Sequence, residues 1–156
     1  MMSRREASRL IGEAYAAALS GNSERAGEII ALLGRDSTQA RMFGICAGIA
    51  TPAVGAMRTL LDGRVPDPAK DEQWYVLHLR PALGRIRRGV EEQAPHVFSQ
   101  RFITAYLNGD RDTQEALYRA ALTAPGGHFA QCVAQLFADV AGLCALSGHR
   151  VEGRGR

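Results

Sequence analysis

With 156 residues, 46% of them apolar, the chain suits one domain that buries roughly 70% of its unfolded surface and needs no disulfide or metal staple. The formal charge of +3 arises from 19 basic and 16 acidic side chains. It is spread thinly, with 8 basic against 6 acidic over 1–66, 6 against 5 over 67–106 and 5 against 5 over 107–156, which excludes a basic arm or an acidic tail. Every basic residue except Lys70 is Arg, a skew that GC-rich coding explains without nucleic acid.

Cys46, Cys132 and Cys144 lie in apolar stretches of helical pattern. An odd count without a loop-rich framework predicts reduced, buried thiols in a reducing compartment. Ser3-Arg4-Arg5 is followed by Glu6, Arg9 and Glu13 instead of a clean apolar run, unlike a secretory leader. The apolar run from Met42 to Met57 holds Pro52, and the last helix carries Gln131, Gln135 and Asp139; a membrane span needs about 20 apolar residues. The expectation is a cytoplasmic protein outside the membrane.

Strand-type alternation is nearly absent, and helix signals punctuate the whole chain. Five times an apolar stretch ends in Leu, one residue and Gly, at Gly21, Gly34, Gly63, Gly109 and Gly148. A glycine there supplies the left-handed residue that closes a helix, because it has no Cβ to clash. Ser3 with Glu6 in capping-box spacing opens the first helix, and Asn22 caps a second that closes at Gly34. Ser37 or Thr38 caps a third segment reaching Leu61, with a break near Ile49 to Thr51 imposed by Pro52. Gly44 and Gly48 let a neighbouring helix approach closely.

Asp67-Pro68 reads as the cap and first residue of a helix carrying Trp74, Leu77 and His78, with Pro81 starting a short segment to about Gln93. Pro95 opens the next helix, which holds Phe98, Phe102 and Tyr106 and stops at Gly109. Asp112 with Glu115 caps the following one, which ends before Pro125-Gly126-Gly127. The last helix runs from about His128 to Ser147, and residues 151–156 form a disordered tail. The fold class is therefore all-α, a single-domain bundle over 1–150 with seven or eight helices in antiparallel hairpins and the C-terminal helix central. Similar turns at Gly21 and Gly109 are generic hairpin chemistry and not a solenoid repeat.

Phe129, Val133, Leu136, Val140, Leu143 and Ser147 follow a 4,3,4,3,4 spacing, the seam of a coiled-coil-like face. Asp139 is the only charge between His128 and Ser147. The helix is either the centre of the monomer or has its second face covered by a partner. Val133, Leu136, Val140 and Leu143 are the candidate interface residues.

No CxxC, HxxxH or HExxH occurs, and neither a metal, a cofactor nor a catalytic residue is expected. His128 and Cys132 can meet across one helix turn, but no third group or oxyanion hole accompanies them. Pro125-Gly126-Gly127 reads as a tight turn and not a phosphate loop. The paired acids fall near helix ends without an apolar pocket. The function this predicts is a helical protein–protein interaction module, acting with a protein partner or as a homo-oligomer. The alternative is a nucleic-acid-associated protein whose phosphate contacts come from Arg80, Arg85, Arg87 and Arg88. A third reading, a pocket for an apolar ligand, places Met42, Phe43, Met57 and Trp74 around it.

Overall fold

A computed structural model describes residues 2–154, and of residues 149–154 the backbone alone. Eight α-helices and one 3-10 turn make up the fold, and no strand occurs among the described residues. The helices are α1 (Arg4–Leu19), α2 (Ser23–Arg35), α3 (Gln39–Ala50), α4 (Ala53–Leu60), α5 (Val76–Arg87), α6 (Ala94–Leu107), α7 (Arg111–Thr123) and α8 (His128–Arg154). The expected all-α single-domain bundle is what forms.

Local chemistry sets most of the boundaries. Ser3 Oγ accepts from the Glu6 N–H at 3.1 Å, Asn22 Oδ1 from Arg25 at 3.1 Å and Thr38 Oγ1 from Arg41 at 3.3 Å. Each satisfies a donor that the first helical turn leaves without a partner. Pro52 separates α3 from α4 where expected, since it has no N–H to continue the ladder. The Tyr15 hydroxyl, from α1, donates to the Ile49 carbonyl beside this break.

Three of the five glycine stops act as such: Gly21, Gly63 and Gly109 have φ of +87°, +77° and +66°. The other two differ. α2 runs one residue past Gly34, and α8 passes straight through Gly148 to Arg154, so the helix expected to stop near Ser147 extends into the expected tail. Residues 155 and 156 of that tail lie outside the described residues.

The helix expected after Asp67 reduces to a single 3-10 turn at Pro68–Lys70. Asp67 caps it, accepting from Ala69 at 3.0 Å, but Asp71 then turns left-handed at φ 56°. Asn108 holds the following strand-like stretch open: its side chain accepts from the Trp74 N–H at 2.7 Å and donates to the Trp74 carbonyl at 3.0 Å. The Trp74 N–H so engaged cannot also donate to Lys70, as a helix continuing from Asp67 would require. α5 starts only at Val76 and carries Pro81 in its interior. The carbonyl of Leu77 that Pro81 deprives of a donor sits on a residue 67% exposed, where water can replace it. α7 is capped by Asp110 and not by Asp112; Asp110 Oδ1 accepts from Thr113 at 3.1 Å.

α8 is the hub. It packs most extensively on α6 and α4 and touches all seven other helices. Cys132, Leu136, Val140 and Leu143 are fully buried on its inner face, among Phe102, Ile103, Ile49 and Leu79. Close approach is built in at two glycines. A Cβ on Gly142 would lie 2.8 Å from Ile86 of α5, and one on Gly48 would lie 3.0 Å from Ile11 of α1. Nothing approaches Gly44 within 4 Å. The segments Gln39–Leu60 and His128–Gly148 are long and apolar enough to cross a membrane by length and composition. Here the first is divided at Pro52, and the inner face of the second builds the core.

Candidate functional site

The seam residues Val133, Leu136, Val140 and Leu143 are all buried inside the chain itself. Leu136, Val140 and Leu143 form the core of the monomer, where a partner of the folded chain does not reach them, and Val133 sits at the edge of that core. The face of α8 that remains available is the opposite one, where Ala130, Ala134 and Ala138 are exposed and Ala141 is half-buried.

The four arginines of α5 are not one patch. Arg80, Arg85 and Arg88 are exposed. At about 100° per residue, Arg80 and Arg85 point roughly 140° apart around the helix. Arg87 turns inward. Its guanidinium donates to Asp139 Oδ2 at 2.6 Å, to the His96 carbonyl at 3.0 Å and to Gln100 Oε1 at 3.3 Å. Asp139 is fully buried and also accepts from Ser99 Oγ at 2.6 Å and Gln135 Nε2 at 2.9 Å. The only charge on the middle of α8 is thus fully satisfied, and the cluster bolts α5 and α6 to α8. Ser99 is buried as completely as Asp139, so this arrangement holds the fold together and offers a substrate no access.

The His128–Cys132 contact forms, with Sγ 3.4 Å from Nε2. Burial pushes the Cys132 thiol up to about 11, the opposite of what an activated nucleophile needs. Cys46 rises to about 12, by burial first and then by the neighbouring Cys132. Burial raises Cys144 as well. Among the described residues, no three His, Cys, Asp or Glu side chains gather as a metal site. Met57 and Trp74 pack in the core, Phe43 packs edge-on against Tyr118 at 5.5 Å, and Met42 borders a different cleft from Phe43 and Trp74, so these four residues do not surround one common pocket.

What the sequence reading missed lies between α2 and α8. Between the two helices lies an open groove of about 400 Å³. Its floor is Ala26, Ile30, Met42, Val133 and Phe137. One wall is Ser23, Gly27, Ala31 and Gly34 of α2, and the other is Ala130, Ala134, Ala138 and Ala141 of α8. Each wall repeats at 4,4,3 spacing, one face of a helix. No charged side chain lines the groove. The α8 wall was half visible in sequence as a chargeless outer face. The α2 wall was hidden because Gly34 reads as a helix stop and nothing local in the sequence marks Gly27.

A second cleft, between α1 and α3, is lined by Arg4, Arg41 and Arg111. Two of the three are already engaged: Arg41 donates to the Met2 carbonyl at 2.7 Å, and Arg111 pairs with Glu115 at 3.1 Å and lies 5.4 Å over the Phe43 ring. Comparison with known proteins returns no match, whether to a protein-family model, a curated protein or a solved structure.

Proposed function

We propose that the chain is a helical protein–protein interaction module, and that its working surface is the α2–α8 groove. The observation that carries this reading is an uncharged groove with walls of Ala and Gly at helical spacing. An uncharged groove between two helices is a shape into which an apolar helix face can dock. Small side chains on both walls let the backbone of an incoming helix come close, and close approach yields dispersion contacts along its whole length. The rest of the fold serves the groove: α8 is anchored from behind by the Arg87–Asp139 cluster and the core, so its outer face is presented on a rigid support.

Alkylation of a single cysteine introduced as Ala138→Cys, followed by peptide mass spectrometry, tests the reading. Protection of that thiol in the purified chain or in extract of its source cells, relative to the same peptide unfolded, is the expected result. Alkylation at the unprotected rate in both settings would sink it.

A further inference from the structure

We propose that the cleft between α1 and α3 binds an aliphatic oxyanion, a carboxylate or phosphate on a short alkyl chain, with its head held by Arg4, Arg41 and Arg111. The site is independent of the α2–α8 groove and shares no lining residue with it. α1 and α3 run side by side in the same direction: Arg41 meets Met2, Gly48 lies against Ile11 further along, and Tyr15 reaches Ile49 beyond that. Their N-termini therefore share one end of the cleft, and each of the three arginines sits in the first turn of its helix. A cation is disfavoured there, because a helix N-terminus is already the positive end of the backbone dipole. No Asp or Glu lines the cleft to offset it, and the first turn of α3 holds no acid at all. Glu6 and Asp36 line a separate hollow that shares only Thr38 with this one. An anion in the cleft relieves that concentration of positive charge.

The guanidinium groups are suited to an oxygen pair. Arg41 is half-buried and spends Nη1 on the Met2 carbonyl, while Arg111 meets Glu115 through Nε. Each keeps further N–H donors, in a planar fork that matches two oxygens of a carboxylate or phosphate. Arg4 makes no ion pair among the described residues. The rest of the cleft selects the body. Its floor is Ile11, Ile45, Gly44 and Gly48. The Phe43 ring is already engaged by Arg111 at 5.4 Å and by Tyr118 edge-on. Of the two hydroxyls that line the cleft, Thr38 Oγ1 is spent on its own helix cap, which leaves Ser8. That is too little polarity to read a sugar or a base, whereas the isoleucines can bury alkyl carbons. A Cβ built on Gly44 meets nothing within 4 Å, so the floor is open at that point. The cleft holds about 570 Å³, within the roughly 300–1,000 Å³ typical of small-molecule sites.

Isothermal titration calorimetry of the full chain with octyl phosphate and with octanoate tests the site, with octanol and inorganic phosphate as body and head alone. Both amphiphiles are expected to bind, and the two fragments at least about tenfold more weakly. Arg4→Gln/Arg111→Gln lowers the affinity at least about tenfold. Arg80→Gln/Arg85→Gln removes the same charge from exposed positions on α5 and leaves the affinity unchanged. Gly44→Leu, which fills the floor, weakens octyl phosphate as well. All five positions are exposed, so helix content by circular dichroism stays constant across the set. Co-sedimentation with phosphatidylcholine vesicles, with and without phosphatidic acid, separates two sources of the same chemistry. A free ligand binds in solution and leaves the chain off the vesicles, whereas a membrane lipid carries it down through Arg4 and Arg111. Silence from both amphiphiles up to about 1 mM, with no arginine-dependent vesicle binding, overturns the proposal. So does octanol or inorganic phosphate binding as tightly as octyl phosphate, or an α5 pair as damaging as the cleft pair.

Discussion

Arg87 and Asp139 show how much a single residue can carry in this fold. A buried charge deprived of its partner costs several kcal/mol, because neither water nor a counter-charge then stabilises it. Arg87→Leu leaves Asp139 with only Ser99 and Gln135 and is expected to destabilise the fold by about 3–5 kcal/mol in urea denaturation. The double variant Arg87→Leu/Asp139→Leu removes both charges and is expected to recover most of that loss. A double variant as unstable as the single one would mean that the lost hydrogen bonds to Ser99, Gln100 and the His96 carbonyl dominate, and that the pair itself contributes little. The thiols act at the same scale. Cys46 and Cys132 titrate at about 12 and about 11 in the fold, against 9.0 for an ordinary thiol. The folded state therefore holds protons that the unfolded chain releases, and stability present below the ordinary thiol value falls as pH rises through it toward the folded values. Denaturation midpoints should drop as pH rises from about 9 toward about 11, and Cys46→Ala or Cys132→Ala should flatten that slope. An unchanged slope in both variants would refute the account.

Among the elements, those legible in sequence were the ones whose ends are fixed by a residue's own chemistry. Ser3, Asn22 and Thr38 cap as expected, and Pro52 divides its segment, because a cap or a missing N–H acts within one turn. What sequence did not reveal was decided from elsewhere in the chain. Asn108 pulls Trp74 out of helix from 34 residues away, and α8 ignores Gly148 because a glycine permits a left-handed turn without requiring one. The α2 wall of the groove is invisible until α8 stands opposite it. Gly142 belongs to the same class: an ordinary small residue in sequence, it is the point where Ile86 of α5 meets the α8 backbone. Gly142→Ala puts a methyl within 3.0 Å of the Ile86 branch and is expected to lower thermal stability despite alanine's better helix propensity. Ile86→Ala in the same chain should relieve the clash, making the two substitutions non-additive. Strict additivity would mean that α5 simply moves aside.

For the molecule as a whole, the position of α8 has a consequence for cooperativity. Each of the other seven helices packs against it, so none can lose its core face without exposing part of α8, and α8 cannot leave without opening all of them. A chain built this way is expected to unfold in one transition, unlike a solenoid in which each unit answers only to its neighbours. Trp74 offers an independent probe, because it is the only tryptophan, is nearly buried, and sits in the irregular segment before α5 instead of in a helix. Its backbone is held through Asn108 at the end of α6, which makes this junction the place where partial unfolding would first show. Tryptophan fluorescence and far-ultraviolet circular dichroism should therefore give coincident urea transitions, and Asn108→Ala should shift both together. A fluorescence transition that precedes the helical one would show that the 62–75 segment opens by itself, and that control by α8 stops short of the α5–α6 junction.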